Sequence, residues 1–128
     1  MLENLTVFDL ASAMARHATV RHRVIAENVA NADTPGYRAR DTQPFSAVVN
    51  DAFTARTTRP EHLVSGGLSR AAEPRVGEID YPASPDGNSV SLADQSRRAT
   101  EATGQHRLAF AVYSKAADIL RLGLGPNR

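Results

Sequence analysis

The sequence contains no cysteine and no tryptophan, and its other aromatic residues are few. The missing cysteine excludes disulfide bonds, thiolate nucleophiles and cysteine-ligated metal sites. Aromatic side chains contribute much of the buried area in most cores, and a share of 5% leaves burial to Leu, Ile, Val and Ala. We therefore expect this chain of 128 residues to need partners to complete its burial.

Strong charge and long apolar runs are also missing. The net charge is +1, so the composition does not favour a nucleic-acid partner or an acidic membrane surface. No window approaches the roughly 18 apolar residues of a membrane span. Glu3 and Asp9 interrupt the apolar pattern at the N-terminus, and we expect neither a cleaved secretory signal nor a direct membrane span.

The usual motifs of catalysis and cofactor binding do not occur. His17 and His22 are five residues apart, which does not place them on one helix face as a metal pair, and no HExxH pattern is present. His22 and His106 fall on apolar helix faces, where a hydrogen-bonded packing role is more common than ligation. We expect no catalytic residue, no metal site, no cofactor and no small-molecule substrate.

Glycine and proline divide the chain into three parts. Residues 1–34 contain neither, residues 35–87 contain six of the seven prolines, and residues 88–122 contain only Gly104. Because both residue types interrupt regular structure, this distribution predicts a mainly α protein. We predict one unit, 1–128, with a first helix over 1–33, a turn and irregular middle over 34–88, and a last helix over 89–124.

Apolar residues recur at alternating spacings of three and four in both terminal segments, as in a coiled coil. The pattern predicts an antiparallel hairpin of two long helices. Ser89 or Ser91 can cap the second helix, and Gly123 and Gly125 can end it. Two interpretations remain open, since the apolar stripes can pair with each other or dock onto other subunits. The large side chains expected to pack the helices are Phe8, Leu10, Met14, Ile25, Val29, Leu92, Phe110, Tyr113, Leu120 and Leu124.

The middle segment has only short candidates for regular structure. Residues 46–49 fit a short helix or a strand, and 62–64 fit an extended segment. Gly66-Gly67 and residues 85–87 are typical of turns. More than about 50 residues with so little regular structure is typical of a binding loop or of a segment ordered by its neighbours.

The first helix is followed by a segment with a specific pattern. Residues 26–38 read AENVANADTPGYR, in which Pro35 disfavours helical geometry before it and Gly36 permits a positive φ. This segment closely resembles the N-terminal signature of the flagellar rod, hook and hook-associated proteins. The resemblance implies an assembly role for the turn residues Asn28, Val29, Ala30, Asn31, Thr34, Pro35, Gly36 and Tyr37.

A second match lies at the start of the last helix. Residues 88–92 read NSVSL, and Gln105 and Arg107 follow, a pattern similar to that of proximal rod proteins. The short chain agrees, because distal rod and hook relatives carry inserted domains. Ser91, Gly104 and Leu108 depart from the family's usual Asp, Asn and Tyr, which weakens the subtype more than the family.

The resemblance implies a structural subunit of the flagellar basal-body rod. Its partners would be copies of itself, other rod proteins, the basal-body membrane ring and the export gate. The subunit would leave the cell interior by type III export without a cleaved signal and transmit torque from a periplasmic position. The alternative from another class is a soluble helical adaptor or chaperone-like module, which has no need of the turn at residues 28–37. An enzyme of unrecognised type is the third hypothesis.

Overall fold

The computed structural model describes residues 2–57 and 73–125. Two long helices dominate, α1 (Leu2–Ala30) and α3 (Leu92–Leu124). Between them lie β1 (Arg40–Thr42), α2 (Phe45–Thr57) and β2 (Val76–Glu78). The mainly α fold is confirmed, with two long helices packed together and a middle segment that contains a short sheet and irregular regions. The segment 62–64 and the turn at Gly66-Gly67 lie outside the described residues.

Both long helices end where their sequences indicate. The α1 helix stops at Ala30, ahead of the turn that Pro35 and Gly36 impose. Ser91 caps α3 by accepting a hydrogen bond from the backbone N–H of Asp94. Gly125 ends α3 with a φ of 68°, a conformation that glycine adopts without steric cost.

The two long helices pack side by side in antiparallel orientation. Phe8 contacts Tyr113 at one end of the pair, and Asn28 bonds Gln95 at the other. The innermost positions of α3 are spaced seven residues apart and carry small side chains, apart from Gln95. In α1, the buried residues Ala11, Ala18 and Ile25 are likewise spaced seven residues apart. The buried alanines at these positions, which we call the alanine seam, are Ala11, Ala18, Ala102, Ala109 and Ala116.

Small seam residues explain why two helices with so few aromatics can pack at all. An alanine presents only a methyl group, so two helix backbones approach closely and bury the seam without large side chains. The large side chains of α3 that were expected to pack, among them Phe110, Tyr113 and Leu120, lie beside this row. Since successive residues are about 100° apart on a helix, Ala109 lies about 100° from Phe110 but only about 40° from Tyr113 and about 20° from Leu120. The packed face is thus rotated by roughly 50° from the predicted one.

A small layer covers the second face of α1. β1 and β2 form an antiparallel pair in which Asp41 lies opposite Gly77, and β1 packs against α1. Residues 46–49 are helical, within α2, and Val48 packs on Ala13 with Phe45 beside them. None of the helices among the described residues combines the length and apolarity that crossing a membrane requires.

Candidate functional site

The turn after α1 is held by its own side chains. Asn31 donates from its Nδ2 to the carbonyl oxygen of Glu27 at 2.8 Å, and Thr34 donates its hydroxyl to Asn31 Oδ1 at 3.2 Å. The backbone N–H of Tyr37 donates to the Thr34 carbonyl at 3.2 Å. The bond to Glu27 adds a second donor to a carbonyl that already accepts from the Asn31 backbone N–H, and the other two bonds close the turn that follows α1.

Asn28 forms the buried centre of this region. Its side chain is fully buried, and Nδ2 donates to the Arg40 carbonyl at 2.7 Å and to Gln95 Oε1 at 3.0 Å. Its Oδ1 accepts from the Arg40 N–H at 3.0 Å and from the Tyr37 hydroxyl at 3.2 Å. A carboxamide offers two donors and two acceptor lone pairs, and all four are used here. Asn28 therefore joins α1, β1, the turn and α3 through one side chain.

Asn88 connects the same turn to the start of α3. Its Nδ2 donates to the carbonyl oxygens of Asn31 at 2.9 Å and Thr34 at 2.8 Å, while its Oδ1 accepts from the Val90 N–H at 2.8 Å. Next to it, the Ser89 hydroxyl accepts from the Ala39 N–H at 2.8 Å. The end of α1 and the beginning of α3 are thus fastened together by side chains that the local sequence pattern does not link.

Two glycines meet back to back in this region. Gly36 has a φ of 75° and Gly87 a φ of 85°, both in the left-handed range. The Gly36 N–H donates to the Asp86 carbonyl at 2.9 Å, and a Cβ on Gly87 would lie 3.2 Å from the Gly36 Cα. The turn predicted at residues 85–87 is confirmed, and it packs directly against the turn after α1.

Charged side chains connect β1 to both long helices. Asp41 accepts from Arg21 of α1 at 3.0 and 3.1 Å in a bidentate pair, and it also pairs with Arg98 of α3. All three side chains are largely buried, at 12–13% exposure. Arg21 reaches Glu101 of α3 as well, at 3.2 Å. Because two guanidinium groups share one carboxylate, removing Asp41 would take one ionic partner from each of two largely buried cations, leaving Arg21 with Glu101 and Arg98 with Asp94.

Asp94 extends this ion-pair network to the first turn of α3. Arg98 donates to it at 2.6 Å, Arg97 at 2.8 Å and the Tyr81 hydroxyl at 2.9 Å. Burial opposes the charge on Asp94, but the hydrogen bonds from Arg98, Arg97 and Tyr81 outweigh it and lower the pKa from 3.8 to about 2. The carboxylate also lies at the positive end of the helix dipole. We call the whole set of contacts made by residues 21–41 and 81–103 the junction.

The residues that were expected to pack the helices differ in how far they are buried. Ile25 is buried, and Phe8 makes an edge-on contact with Tyr113 at 4.8 Å between ring centroids. Met14 and Leu120 are half-buried. The remaining six expose more than a third of their surface, and these are Leu10, Val29, Leu92, Phe110, Tyr113 and Leu124. Apart from Tyr113, which contacts Phe8, a packing role for these exposed residues stays a prediction, and it concerns contacts outside the subunit.

The exposed apolar residues flank the seam on both sides. One flank forms an open apolar groove of about 230 Å³. Further large apolar residues are exposed along the other side of α3, including Leu108, Val112 and Ile119. The lining of the groove consists of Ala11, Ser12, Ala15, Ala109, Phe110 and Tyr113. Within residues 2–57 and 73–125, the structure groups no three metal-ligating side chains of the types His, Asp, Glu and Cys.

Sequence reasoning missed the long-range contacts that hold the junction. Asn88 lies in the second matched segment and Asp41 directly follows β1's first residue, but neither was assigned a role. Arg21 and Arg98 carried no signal, since polar residues on a helix are usually solvated. One signal was available, because Gln95 lies at seven-residue spacing ahead of three alanines and therefore on the packed face.

Comparison with known proteins gives the geometry its context. The family model "Flagella basal body rod protein" matches residues 10–38, which span most of α1 and the turn after it. The protein named "Flagellar basal body rod protein FlgB" of Agrobacterium fabrum is 33% identical over 112 residues, covering 84% of each chain. The protein of the same name from Cereibacter sphaeroides is 33% identical over 100 residues, or 74% of this chain and 75% of its own.

The likeness extends to a more distant relative. The Escherichia coli protein named "Flagellar basal body rod protein FlgB" is 28% identical over 107 residues, covering 73% of this chain. This chain therefore belongs to the flagellar basal body rod proteins, among those of the FlgB type. The matched region includes the turn after α1 and so contains the centre of the junction.

Proposed function

We propose that this chain is a structural subunit of the bacterial flagellar basal-body rod, assembling helically through α1 and α3. The observation that carries the proposal is the 33% identity to a FlgB protein over 84% of the chain. The family membership does not favour a soluble adaptor or chaperone-like module. It also supports a structural rather than an enzymatic role.

The structure supports assembly through the exposed apolar side chains. Phe110 is 58% exposed and Leu122 is 83% exposed, although both belong to an ordered helix. Contiguous apolar surface of this kind typically marks a protein interface. Copies of the chain and other rod proteins are the proposed partners, because a helical assembly presents the same apolar flank to each successive subunit.

The same proposal includes the position of the subunit within the flagellar basal body. We place the subunit in the proximal rod on the periplasmic side, next to the basal-body membrane ring and the export gate. Export through the flagellar type III apparatus would need no cleaved signal. The assembled helices would then transmit torque as part of the shaft.

The test uses Phe110→Ala in a strain that lacks the native gene. Because the side chain is mostly exposed, we expect a folded hairpin, but we also expect loss of its contribution to the interface, which for a buried aromatic is commonly ~2 kcal/mol or more. Swimming halos should collapse, and blots of detergent-resistant basal bodies should lose the protein. Ser114→Ala on the exposed side of α3 is the matched control and should assemble normally.

Two results would count against the proposal. One is wild-type protein that stays entirely in the soluble fraction when basal bodies are purified. The other is Phe110→Ala protein that enters basal bodies at the wild-type level and supports normal swimming, which would remove the apolar flank from the interface.

The turn provides a second test of the same proposal. Gly36 needs its positive φ, and a residue with a Cβ there costs ~1–2 kcal/mol, more if it is β-branched. We expect Gly36→Val protein to be made and exported but to fail to build rods. Assembly of Gly36→Val at the wild-type level would show that the turn geometry is not required.

A further inference from the structure

One dipeptide of the junction is chemically reactive by itself. Asp86 precedes Gly87, and no other glycine of the sequence follows an Asp or an Asn. Because glycine has no Cβ, the backbone nitrogen that follows the aspartate is unhindered and can attack the aspartate side chain. An Asp-Gly pair is for this reason the aspartyl sequence most prone to rearrange spontaneously in water. Asp86 is exposed, so water reaches this turn.

The rearrangement passes through a cyclic imide and needs no oxidant, reductant or enzyme. The Gly87 nitrogen forms a bond to Cγ of Asp86 and loses its proton, while one carboxyl oxygen leaves as water. Water then adds to one of the two ring carbonyls, and the C–N bond at that carbonyl breaks. Breakage at Cγ restores aspartate. Breakage at the main-chain carbonyl gives isoaspartate, in which the chain runs through the former side chain.

The folded junction holds both reacting groups in hydrogen bonds. The N–H of Gly87 donates to the Ser84 carbonyl at 2.8 Å. The Asp86 carboxylate accepts from the Asn88 N–H at 3.0 Å, and the Asp86 carbonyl accepts from the Gly36 N–H at 2.9 Å. Ring closure has to rotate the bond between Cα and the carbonyl carbon of Asp86, which turns that carbonyl away from Gly36. The reaction is therefore confined to molecules in which this turn has opened.

We propose that Asp86 is the site of spontaneous isoaspartate formation in this chain, and that the folded junction suppresses the reaction. The product does not fit the junction. Isoaspartate adds one methylene to the main chain and converts the former Asp86 carbonyl into a free carboxylate, so the N–H of Gly36 loses its acceptor in the turn. The space beside Gly87 is also limited, since a Cβ there would lie 3.2 Å from the Gly36 Cα.

The consequence for assembly rests on the proposed rod function, whereas the reaction itself is a property of the single chain. A subunit inside a rod keeps its junction folded, while an unassembled subunit opens and refolds repeatedly. Isoaspartate should therefore accumulate in the unassembled pool. Once formed, it should keep the subunit out of rods, because the two turns at Gly36 and Gly87 no longer pack as they do in the native chain.

The test measures isoaspartate in purified full-length protein kept at neutral pH, in native buffer or in guanidinium chloride. After removal of the denaturant, an isoaspartyl methyltransferase transfers a methyl group from S-adenosylmethionine, and peptide mapping locates the methylated residue. We expect the label on the peptide that contains Asp86, formed roughly tenfold or more slowly in native buffer, since only the open fraction reacts. Equal rates in the two buffers, or label chiefly on another aspartate, would overturn the proposal.

Two variants separate the site from the fold. Asp86→Glu keeps a carboxylate but would have to form a six-membered ring, which closes far more slowly, so the label should fall to background in both buffers. Asn88→Ala keeps the backbone N–H that binds Asp86 but loses the side-chain bonds to the carbonyls of Asn31 and Thr34. It should react several-fold faster than wild type in native buffer and equally fast in denaturant. Ser96→Ala, at an exposed position of α3, is the control and should match wild type.

An Asn88→Ala protein that folds by circular dichroism and reacts no faster than wild type would show that the junction does not protect Asp86. The comparison of wild type in the two buffers needs no variant, so it decides the question even where Asn88→Ala does not fold. Label that persists in Asp86→Glu would place the reaction at another residue and overturn the assignment.

The fate of altered subunits is measured in a strain that lacks its own repair methyltransferase. Basal bodies and the soluble pool are purified from the same aged culture, and the isoaspartate fraction at residue 86 is compared. We expect it to be several-fold lower in basal bodies, and equal fractions would show that the altered turn still assembles. A protein absent from basal bodies would refute the rod function and leave the rates in purified protein unchanged. Equal rates in native buffer and denaturant would refute this inference and leave the rod assignment intact.

Discussion

At the scale of single residues, two carboxamides with similar positions make very different contacts. Asn28 is fully buried and makes four hydrogen bonds to three other segments of the chain. Asn31 makes its side-chain bonds within its own turn, to Glu27 and from Thr34. A buried group that loses its partner costs more than an exposed one, since water cannot replace the lost bond.

We therefore predict that Asn28→Ala lowers the free energy of unfolding by about 2–3 kcal/mol, because Arg40, Tyr37 and Gln95 all lose a partner in a buried site. Asn31→Ala should cost about 1 kcal/mol or less. Urea unfolding followed by circular dichroism measures both values. If Asn31→Ala is the more damaging of the two, the turn's own bonds matter more than the links between segments.

Asp94 gives the junction a dependence on pH. Its pKa is lowered to about 2 in the folded chain, against 3.8 for an unperturbed carboxyl. The contribution to stability is present above about pH 4 and is lost as the pH falls towards 2, because the unfolded chain takes up the proton first. Arg98, whose pKa is raised, keeps its charge throughout this range.

The check is a comparison of wild type with Asp94→Asn. We expect wild type to be the more stable protein at pH 6 and its advantage to shrink steadily between pH 4 and pH 2 in thermal unfolding. The comparison cancels the titration of the other carboxylates. An advantage that stays constant down to pH 2 would mean that the charge of Asp94 does not stabilise the junction.

At the scale of secondary-structure elements, the alanine seam determines how closely α1 and α3 approach. Ala109 is 1% exposed and faces α1, whereas Ala111, two residues away, is exposed. The two positions have the same residue and the same helical backbone. They therefore separate the effect of helix packing from the effect of helix propensity.

We predict that Ala109→Leu lowers the free energy of unfolding by about 1–3 kcal/mol, since the added methylenes force the helices apart. Ala111→Leu should change it by less than about 0.5 kcal/mol, because its side chain extends into solvent and leucine is also a good helix former. Chemical denaturation of the two variants gives the comparison. Equal effects would argue that the seam does not set the distance between the helices.

The elements themselves were largely predictable, while their packed faces were not. The ends of α1 and α3, the Ser91 cap and the turn at residues 85–87 follow from local rules for Pro, Gly and Ser. The larger side chains of α3 predicted one packed face, whereas the structure packs the adjacent row of alanines against α1. The reason is that α3 carries large apolar side chains on both sides of the alanine seam, with Phe110 and Tyr113 on one side and Val112 and Ile119 on the other. Periodicity cannot distinguish a face that meets α1 from one that meets another subunit.

The candidate site also has a part that was predictable from the sequence and a part that was not. The residues of the turn were identified from their order in the sequence, and the structure brings most of them into the junction. Gln95, Asn88 and the Arg21–Asp41–Arg98 contacts depend on which distant segments meet. Such contacts leave no periodic pattern in one sequence, so only the fold reveals them.

At the scale of the whole molecule, the polar junction contrasts with the exposed apolar side chains that flank the alanine seam. The net charge of +1 offers little repulsion between copies. Leu108, Val112 and Ile119 are exposed on the same side of α3. Copies of the chain can therefore associate through apolar surface without a large electrostatic penalty.

We predict concentration-dependent self-association that strengthens on addition of ammonium sulfate and weakens on cooling, as apolar association does. Replacing Leu108, Val112 and Ile119 together by Ser should lower the association constant by tenfold or more, given ~1 kcal/mol or more for each buried aliphatic side chain. Sedimentation velocity measures the association. Replacing the exposed Ser96, Thr100 and Ser114 by Ala is the matched control, and a monomer at all concentrations would contradict the prediction.

The two glycines with positive φ, Gly36 and Gly87, also bear on the chirality of the residues that the junction accepts. Glycine carries two hydrogens on its Cα, and at Gly36 and Gly87 the backbone adopts values of φ that suit the mirror-image series of amino acids. In a chemically synthesised chain, D-alanine at Gly36 would match this geometry, where L-alanine strains it. It would also reduce the freedom of the unfolded chain, which stabilises the folded one. Like the end of α3 at Gly125, the two turns are therefore places where this protein of L-amino acids accepts the opposite hand.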